Sequence, residues 1–111
     1  MESWAKELNV AVTVCDRDGA ILDLNAKAAR SFDDGRGRSL VGANLFDCHG
    51  PESQEKIRRL MSDETTNVYT IEKHGRKKLI YQAPWYEDGR FMGLVELSLE
   101  IPFVLPHFKR D

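Results

Sequence analysis

KLIYQAPWYEDGRFMGLVELSLE, at residues 78–100, is the stretch that decides the fold. Two β-rich runs flank a turn at Glu87-Asp88-Gly89, and an Asp-Gly pair between such runs is the strongest short-range signal for a β-hairpin. Alternate residues of a strand share a face. In the second run one face carries Phe91, Gly93, Val95, Leu97 and Leu99, and the other carries Leu94, Glu96, Ser98 and Glu100. We expect the first, apolar face to be covered, and the preceding helices are the material available to cover it.

The composition describes one globular domain without a strong charge preference. The 111 residues include 16 Lys and Arg against 18 Asp and Glu, a net charge of −2, which gives no indication of nucleic-acid or anionic-membrane binding. No apolar run approaches the roughly 18 residues of a membrane span. The two cysteines, Cys15 and Cys48, lie in unlike contexts, a strand and a loop. We therefore expect a reducing, cytoplasmic setting.

The other periodic segments predict two strands, several short helices and then three strands. The predicted elements are a helix at Glu2–Asn9, strands at Val10–Cys15 and Ala20–Leu24, a helix from Asn25 through Phe32, one helical turn at Ser39–Gly42, a helix from Pro51, and strands at Thr66–Lys73, Arg76–Tyr86 and Arg90–Glu100. Asn25 is the predicted N-cap of its helix, and His74-Gly75 is the predicted turn between the third and fourth strands. Pro84 cannot donate to a β-ladder, so its strand should be bulged or lie at an edge there. We divide the chain into a leading helix at 1–9, a domain at 10–102 and an extended tail at 103–111.

Four motifs, in this order, resemble the Per-Arnt-Sim (PAS) family. They are Val14-Cys-Asp-Arg-Asp-Gly-Ala-Ile21, Asn25-x-x-Ala28, Leu40-Val-Gly42 and Gly89-x-x-x-Gly93-x-x-Glu96-x-x-x-Glu100-Ile101. The last departs from the family's usual Asp-Ile-Thr ending, since Glu100 and Pro102 replace the Asp and the Thr. The resemblance implies an α+β fold with a five-stranded antiparallel sheet, order 2-1-5-4-3, and short helices packed on one face. The domain at 10–102 would then be a PAS domain.

The segment Cys48-His49-Gly50-Pro51-Glu52-Ser53 resembles a PAS subgroup that carries Cys-His-x-Pro-x-Ser at this place. His49, with Cys48 as a competitor, is a candidate axial ligand for heme, because imidazole suits iron. The alternative is that His49 bonds to backbone and Cys48 packs as a small apolar group at the start of the Pro51 helix. A structural metal site is not expected, since four ligands at the usual spacing are missing.

A flavin photosensor is not expected either. Light-oxygen-voltage members of the family place a reactive cysteine directly after the asparagine of a Gly-x-Asn-Cys run. Here Gly42-Ala-Asn44 is followed by Leu45, and the nearest thiol, Cys48, lies three residues further on. A thiol at that position cannot take the same place over a flavin ring.

The PAS resemblance implies a ligand pocket between sheet and helices, lined by inward-facing side chains. Our candidates are Val12, Val14, Leu22, Phe32, Leu45, Phe46, Ile57, Leu60, Ile80, Val95 and Leu97. Catalysis is not expected, because the sequence has no serine-histidine-acid spacing, paired catalytic carboxylates or nucleotide loop. We expect a sensory or regulatory module of bacterial-type signal transduction that binds a small molecule.

The alternative is a ligand-free interaction or dimerisation module. Its contact surface would use apolar residues of the leading helix and of the tail, namely Trp4, Leu8, Phe103, Leu105 and Phe108. In either case a homodimer is the expected state, and the sequence names no effector protein.

Overall fold

The computed structural model describes residues 1–31 and 37–111, except for the side chains of Arg38 and Cys48. Its helices and strands, in chain order, are α1 (Ser3–Lys6), β1 (Ala11–Asp16), β2 (Ile21–Leu24), α2 (Ala26–Arg30), α3 (Pro51–Asp63), β3 (Asn67–Lys73), β4 (Arg76–Glu87) and β5 (Arg90–Ile101). Two turns of 3₁₀ helix, Gly37–Leu40 and Leu45–Cys48, lie between α2 and α3. Residues 102–111 contain no helix or strand. The first two helices are shorter than predicted.

The five strands form one antiparallel sheet in the order β2-β1-β5-β4-β3. This is the predicted order. The last strand of the chain pairs with the first, and the two amino-terminal strands thereby become one half of the same sheet. The connection from β2 to β3 contains α2, the 3₁₀ turns and α3, so the helical material must cross from one edge of the sheet to the other.

Both hairpins of the carboxy-terminal meander use the two-residue turns that the sequence predicts. At the β4–β5 turn Asp88 and Gly89 have φ angles of 51° and 77°, between the paired residues Glu87 and Arg90. His74 and Gly75 make the equivalent β3–β4 turn, with φ angles of 54° and 75°. Positive φ at both positions is the type I′ geometry, whose twist matches the twist of the flanking strands.

Asn25 joins the first hairpin to the helix that follows it. The side chain is fully buried, and its Oδ1 accepts hydrogen bonds from the backbone N–H groups of Val12 and Ala28, both at 3.0 Å. Its Nδ2 donates to the carbonyl oxygens of Ala5 and Val10 at 3.0 and 2.7 Å. Asn25 is therefore the predicted N-cap of α2, and it also ties α1 and β1 to that helix.

The helices cover the face of the sheet that the sequence analysis expected to be polar. Cys15 and Leu94 are paired across β1 and β5, so their side chains share a face, and both pack with Ile57 and Met61 of α3. We call this side the covered face. Its β5 members are Leu94, Glu96, Ser98 and Glu100.

Residues in phase with Val95 lie on the opposite side of the sheet, which we call the outer face. The predicted pocket residues Val12, Val14, Val95 and Leu97 belong to it, because Val12 pairs with Leu97 and Val14 pairs with Val95. Their predicted inward direction is wrong. Alternation shows which residues share a face, but both faces of β5 carry enough apolar residues to be packed.

The buried core has two parts on the covered side. One contains Ala11, Ile21, Leu24, Ala28 and Leu40, around α2, and the other contains Cys15, Ile57, Met61 and Leu94, under α3. Within the described residues, no helix has the length and hydropathy that crossing a membrane requires.

Candidate functional site

A cavity of about 140 Å³ lies on the covered face between the middle of the sheet and α3. It is lined by Thr13, Cys15, Ile21, Leu45, His49, Ile57, Gln82, Leu94 and Glu96. The lining is mainly apolar, with a few polar side chains among it. That mixture is typical of small-molecule sites, in which apolar walls supply affinity and a few polar groups fix orientation.

A wider groove of about 480 Å³ adjoins the cavity toward β3. Four residues line both spaces, which makes them the border between cavity and groove: His49, Ile57, Gln82 and Glu96. Beyond that border the groove is bounded by side chains of α3 and by lysines such as Lys73 and Lys78. A molecule in the cavity can therefore extend past Glu96 into the groove.

Three polar side chains of the cavity, Thr13, Gln82 and Glu96, lie in one row across the sheet, and Asn67 extends this row beyond the cavity; we call these four residues the polar row. Thr13 of β1 is paired with Glu96 of β5, Glu96 with Gln82 of β4, and Gln82 with Asn67 of β3. Gln82 Nε2 donates to Glu96 Oε2 at 2.8 Å, and Asn67 Nδ2 donates to Gln82 Oε1 at 3.0 Å. Because a carboxylate only accepts, the direction of both hydrogen bonds is fixed by Glu96.

Glu96 also acts on a neighbouring side chain. Burial, and then the negative charge of Glu96, raise the pKa of the Tyr69 hydroxyl. Tyr69 lines the groove. A carboxylate on the covered face therefore sets the local potential at the border of the cavity.

Cys15 lines the cavity as a neutral thiol. Its pKa is raised mainly by burial, with smaller contributions from the charges of Asp16 and Glu96, against the opposing effect of a hydrogen bond with the Leu94 backbone. A thiol of this kind is a poor nucleophile and a poor metal ligand. Cys15 is therefore part of the apolar wall of the cavity.

His49 is bonded to backbone through one ring nitrogen, as in the alternative interpretation of the Cys48-His49 pair. Its Nδ1 lies 2.8 Å from the carbonyl oxygen of Leu45, so Nδ1 carries the proton and donates it. Gln54 of α3 donates to the carbonyl oxygens of His49 and Phe46 at 2.8 and 2.7 Å. These hydrogen bonds attach the 3₁₀ turn Leu45–Cys48 to α3.

The surroundings of His49 do not fit a heme. The residue is exposed, and it lies between an enclosed space of about 140 Å³, near the roughly 150 Å³ cavity that binds a single benzene ring, and an open groove of about 480 Å³ whose lining includes Lys56, Lys73 and Lys78. A macrocycle of four rings is far larger than the enclosed space. An open, charged groove does not enclose an apolar macrocycle. Among the described residues, no three His, Cys, Asp or Glu side chains are grouped as metal ligands.

The predicted pocket residues are divided among several places. Leu45 and Ile57 line the cavity, and Leu60 and Ile80 line the groove. Phe46 packs against the Cys15 cluster, with its ring close beneath Gly19. Leu22 is 45% exposed, so its predicted place in the pocket is wrong. Phe32 lies outside the described residues.

The predicted contact residues at the two ends of the chain are exposed. The exposed fractions are 73% for Trp4, 39% for Leu8, 54% for Phe103, 55% for Leu105 and 72% for Phe108.

The sequence analysis missed several residues of the cavity. They are Thr13, Cys15, Ile21, Gln82, Leu94 and Glu96. The available signal was a pair of polar residues, Gln82 and Glu96, inside two otherwise β-rich and apolar runs. Gln82 is buried and Glu96 is half-buried, and a polar residue withdrawn from water is more informative than a buried apolar one.

Comparison with known proteins identifies the fold. The family model described as the PAS fold matches residues 5–102. No curated protein shows a significant sequence match to the chain.

Solved structures with the same architecture include several signalling proteins. One is a sensory box sensor histidine kinase from Vibrio cholerae, with a TM-score of 0.63 and 19% identity, covering 87% of this chain and 86% of that one. A second is the PAS domain of histidine kinase ThkA, with a TM-score of 0.64 and 20% identity, covering 82% and 98%.

A third is the Vibrio cholerae VqmA–ligand–DNA complex, with a TM-score of 0.66 and 16% identity, covering 86% of this chain and 47% of that one. At these identities the likeness concerns the fold. With the sheet order, the helices on one face and the family match over most of its length, this chain belongs to the PAS family.

Proposed function

We propose that this protein is a PAS sensory or regulatory module of signal transduction that binds a small molecule in the cavity on the covered face. The cavity itself carries the proposal: it is enclosed by apolar side chains, has a polar row at one border, and has the volume of about one ring. The related folds in a sensor histidine kinase and in a ligand–DNA complex support a signalling context. We propose a cytoplasmic setting of the bacterial type, in keeping with the buried free thiol of Cys15.

The signal would pass through the sheet. Glu96 lies at the border of the cavity, and its two neighbours in the strand, Val95 and Leu97, point to the outer face. A ligand that displaces β5 therefore changes the outer surface, where a second protomer or an adjoining domain would sense it. Such coupling requires that the ligand bind two arrangements of the sheet with unequal affinity. No catalytic step is part of this proposal.

The experiment is to identify what the purified protein carries. We would record an absorbance spectrum, extract the protein, and analyse the extract by mass spectrometry. The test variant is Ile57→Phe, which fills the cavity from α3. The matched control is Met61→Phe, in the same buried cluster of the same helix but outside the cavity lining.

Both substitutions add comparable bulk and should cost about 1–3 kcal/mol of stability. We expect one small molecule from the wild-type protein and from Met61→Phe, and a loss of that molecule from Ile57→Phe. Equal recovery from both variants would place the molecule elsewhere. No molecule under any growth condition, together with no binding by the fragments described below, would contradict the sensory function.

A second candidate is an interaction or dimerisation module without a ligand. It is favoured by the exposed apolar side chains near the termini, Trp4 at 73% and Phe108 at 72% exposure. Size-exclusion chromatography with light scattering of the full chain and of a chain lacking residues 1–9 tests it. We expect the deletion to shift a dimer toward monomer. An unchanged association state would contradict the involvement of Trp4 and Leu8.

A further inference from the structure

We propose that the ligand carries a hydrogen-bond-donating nitrogen group, an amine or an amidine, on a small apolar body, and that Glu96 accepts from this group. The inference rests on the proposed function and names the class of ligand for the same cavity. It follows from the hydrogen bonds within the polar row and from the acceptor capacity that these hydrogen bonds leave unused.

The first observation is the unused acceptor capacity of Glu96. Within the described part of the chain, its carboxylate accepts one hydrogen bond, from Gln82 Nε2 to Oε2 at 2.8 Å. A carboxylate offers about four lone-pair sites. Among the described residues no side chain or backbone group donates to Glu96 Oε1, and because Glu96 lines the cavity, a ligand there can supply a donor.

The second observation is that Gln82 is held in one orientation. Asn67 Nδ2 occupies Gln82 Oε1 at 3.0 Å, while Gln82 Nε2 points to Glu96. Turning the Gln82 amide over would break both hydrogen bonds and place its oxygen against the carboxylate. The row is therefore preorganised to present the Glu96 carboxylate at this border.

The remaining polar side chains of the lining add further acceptors. His49 Nδ1–H donates a hydrogen bond to the Leu45 carbonyl oxygen, and in this tautomer Nε2 is an acceptor. The hydroxyl of Thr13, opposite Glu96 in the register, can accept as well as donate. The lining also holds two donors, the second N–H of Gln82 and the Thr13 hydroxyl, but the negative charge of Glu96 disfavours an anionic ligand and favours an N–H donor.

The apolar part of the lining determines the size and polarity of the rest of the ligand. The cavity is walled by Cys15, Ile21, Leu45, Ile57 and Leu94, and its volume of about 140 Å³ admits roughly one ring. The nitrogen group would sit at the Glu96 border, and the ring would lie against these side chains.

The lysine side chains near the cavity line the adjoining groove instead. Lys56, Lys73 and Lys78 line the groove and do not line the cavity. Lys56 lies over the Tyr69 ring, 5.2 Å from its centroid. An anionic substituent could therefore extend into the groove, but the head group in the cavity meets the carboxylate.

The test uses three probes of nearly equal size on the full-length ¹⁵N-labelled protein: benzamidine as a cationic donor, benzoate as an anionic acceptor, and toluene as an apolar body. Each is titrated while the backbone amide signals are followed by NMR. We expect benzamidine to bind more tightly than benzoate and to shift the signals of Thr13, Gln82 and Glu96. This comparison needs no variant and stands even if a variant fails to fold.

The variant Glu96→Gln keeps the size of the side chain and removes its charge. Since a hydrogen bond to a charged group contributes about 1.5–3 kcal/mol, benzamidine binding should weaken by about tenfold or more, and toluene binding should not change. The matched control is Glu100→Gln, on the same face of β5 but outside the cavity and ion-paired to Arg76 at 3.0 Å. It should bind all three probes like the wild type.

The possible failures are distinguishable. Benzoate binding as tightly as benzamidine, or benzamidine binding that survives in Glu96→Gln, would overturn the assignment of the ligand class while toluene binding still supported the cavity as a ligand site. If none of the three probes shifts the cavity signals in the wild-type protein, both the assignment and the proposed function fail.

Discussion

The covered face of the sheet carries more polar residues in β5 than the outer face does, although a covered face is usually the more apolar one. On the covered face, the residues of β5 beneath the helices include Glu96 and Ser98, and Gln82 lies beside Glu96 on β4. On the outer face, β5 and β1 carry Val95, Leu97, Val12 and Val14, none of which belongs to either core cluster of the described residues. Burial ordinarily selects apolar residues, so each face needs its own explanation.

On the covered face the explanation is the cavity. A polar side chain can lie under a helix without a large penalty when it has a hydrogen-bond partner and borders a space that water or a ligand can enter. On the outer face, Val12, Val14, Val95 and Leu97 are half-buried, and our proposal is that a partner covers them further. We therefore propose that the covered face binds a small molecule and that the outer face contacts protein.

The largest expected effect comes from Gly93, which fixes the register that separates the two faces. Its φ is +152°, and a Cβ at this position would lie 2.0 Å from the Cys15 carbonyl oxygen, which also accepts a hydrogen bond from Trp85 Nε1 at 2.9 Å. Because backbone atoms cannot approach a Cβ so closely, Gly93→Ala must move β1 away from β5. We expect a loss of about 4 kcal/mol or more in the free energy of unfolding, measured by urea denaturation.

Gly89→Ala is the control for Gly93→Ala. Gly89 also has a positive φ, +77°, but a Cβ there meets no atom within 4 Å. The cost should be the conformational one alone, about 1–2 kcal/mol. Equal losses in the two variants would mean that β1 and β5 approach less closely than the structure has them.

The second prediction compares the faces directly, with one leucine from each. Leu94 is 4% exposed on the covered face, whereas Leu97 is half-buried on the outer face. Leu94→Ala should destabilise by about 3 kcal/mol through lost burial and a residual cavity, and Leu97→Ala by about 1 kcal/mol. The measurement is urea unfolding at several protein concentrations.

The size of the Leu97→Ala effect reports on the outer face. A loss as large as that of Leu94→Ala, growing with protein concentration, would show that a second protomer covers Leu97 in solution. A small loss at every concentration would agree with an outer face that is free in the isolated protein.

Local signals were enough to predict the framework of this fold. The Asp88-Gly89 and His74-Gly75 turns set the meander, because a two-residue hairpin loop needs a primed turn and these residue pairs tolerate the two positive φ angles of type I′. Asn25 was recognisable as an N-cap, and Pro51 as a first helical residue. The bonds of Asn25 to Ala5 and Val10 were beyond prediction, since they depend on how distant segments meet.

The alternation of residues in β5 could not show which face of the sheet the helices cover. A period of two groups Val95 with Leu97 and Leu94 with Glu96, but it does not say which group lies under the helices. A register shift beside Trp85 adds a further break in the pattern. Phe91, two residues before Gly93, packs against the covered cluster rather than with the outer face.

The smallest predicted effect concerns Cys15 and pH. Burial raises the pKa of its thiol above the ordinary value of 9.0, so the folded protein holds this proton more tightly than the unfolded chain does. The contribution of the thiol to stability is therefore complete below pH 9.0 and is lost as the pH rises beyond it. Cys15→Ala has no thiol at this position and lacks this dependence.

The measurement is urea unfolding of the wild-type protein and of Cys15→Ala at pH 7.5, 9 and 10. Other groups titrate in both proteins, so they cancel in the difference. The stability advantage of the wild type should shrink above pH 9.0, by at most about 1.4 kcal/mol per pH unit, the limit for one proton. An advantage that stays constant to pH 10 would mean that the thiol is as well solvated in the folded protein as in the unfolded chain. The wall of the cavity would then be open to water at Cys15, and the contrast between a closed covered face and an accessible outer face would not hold there.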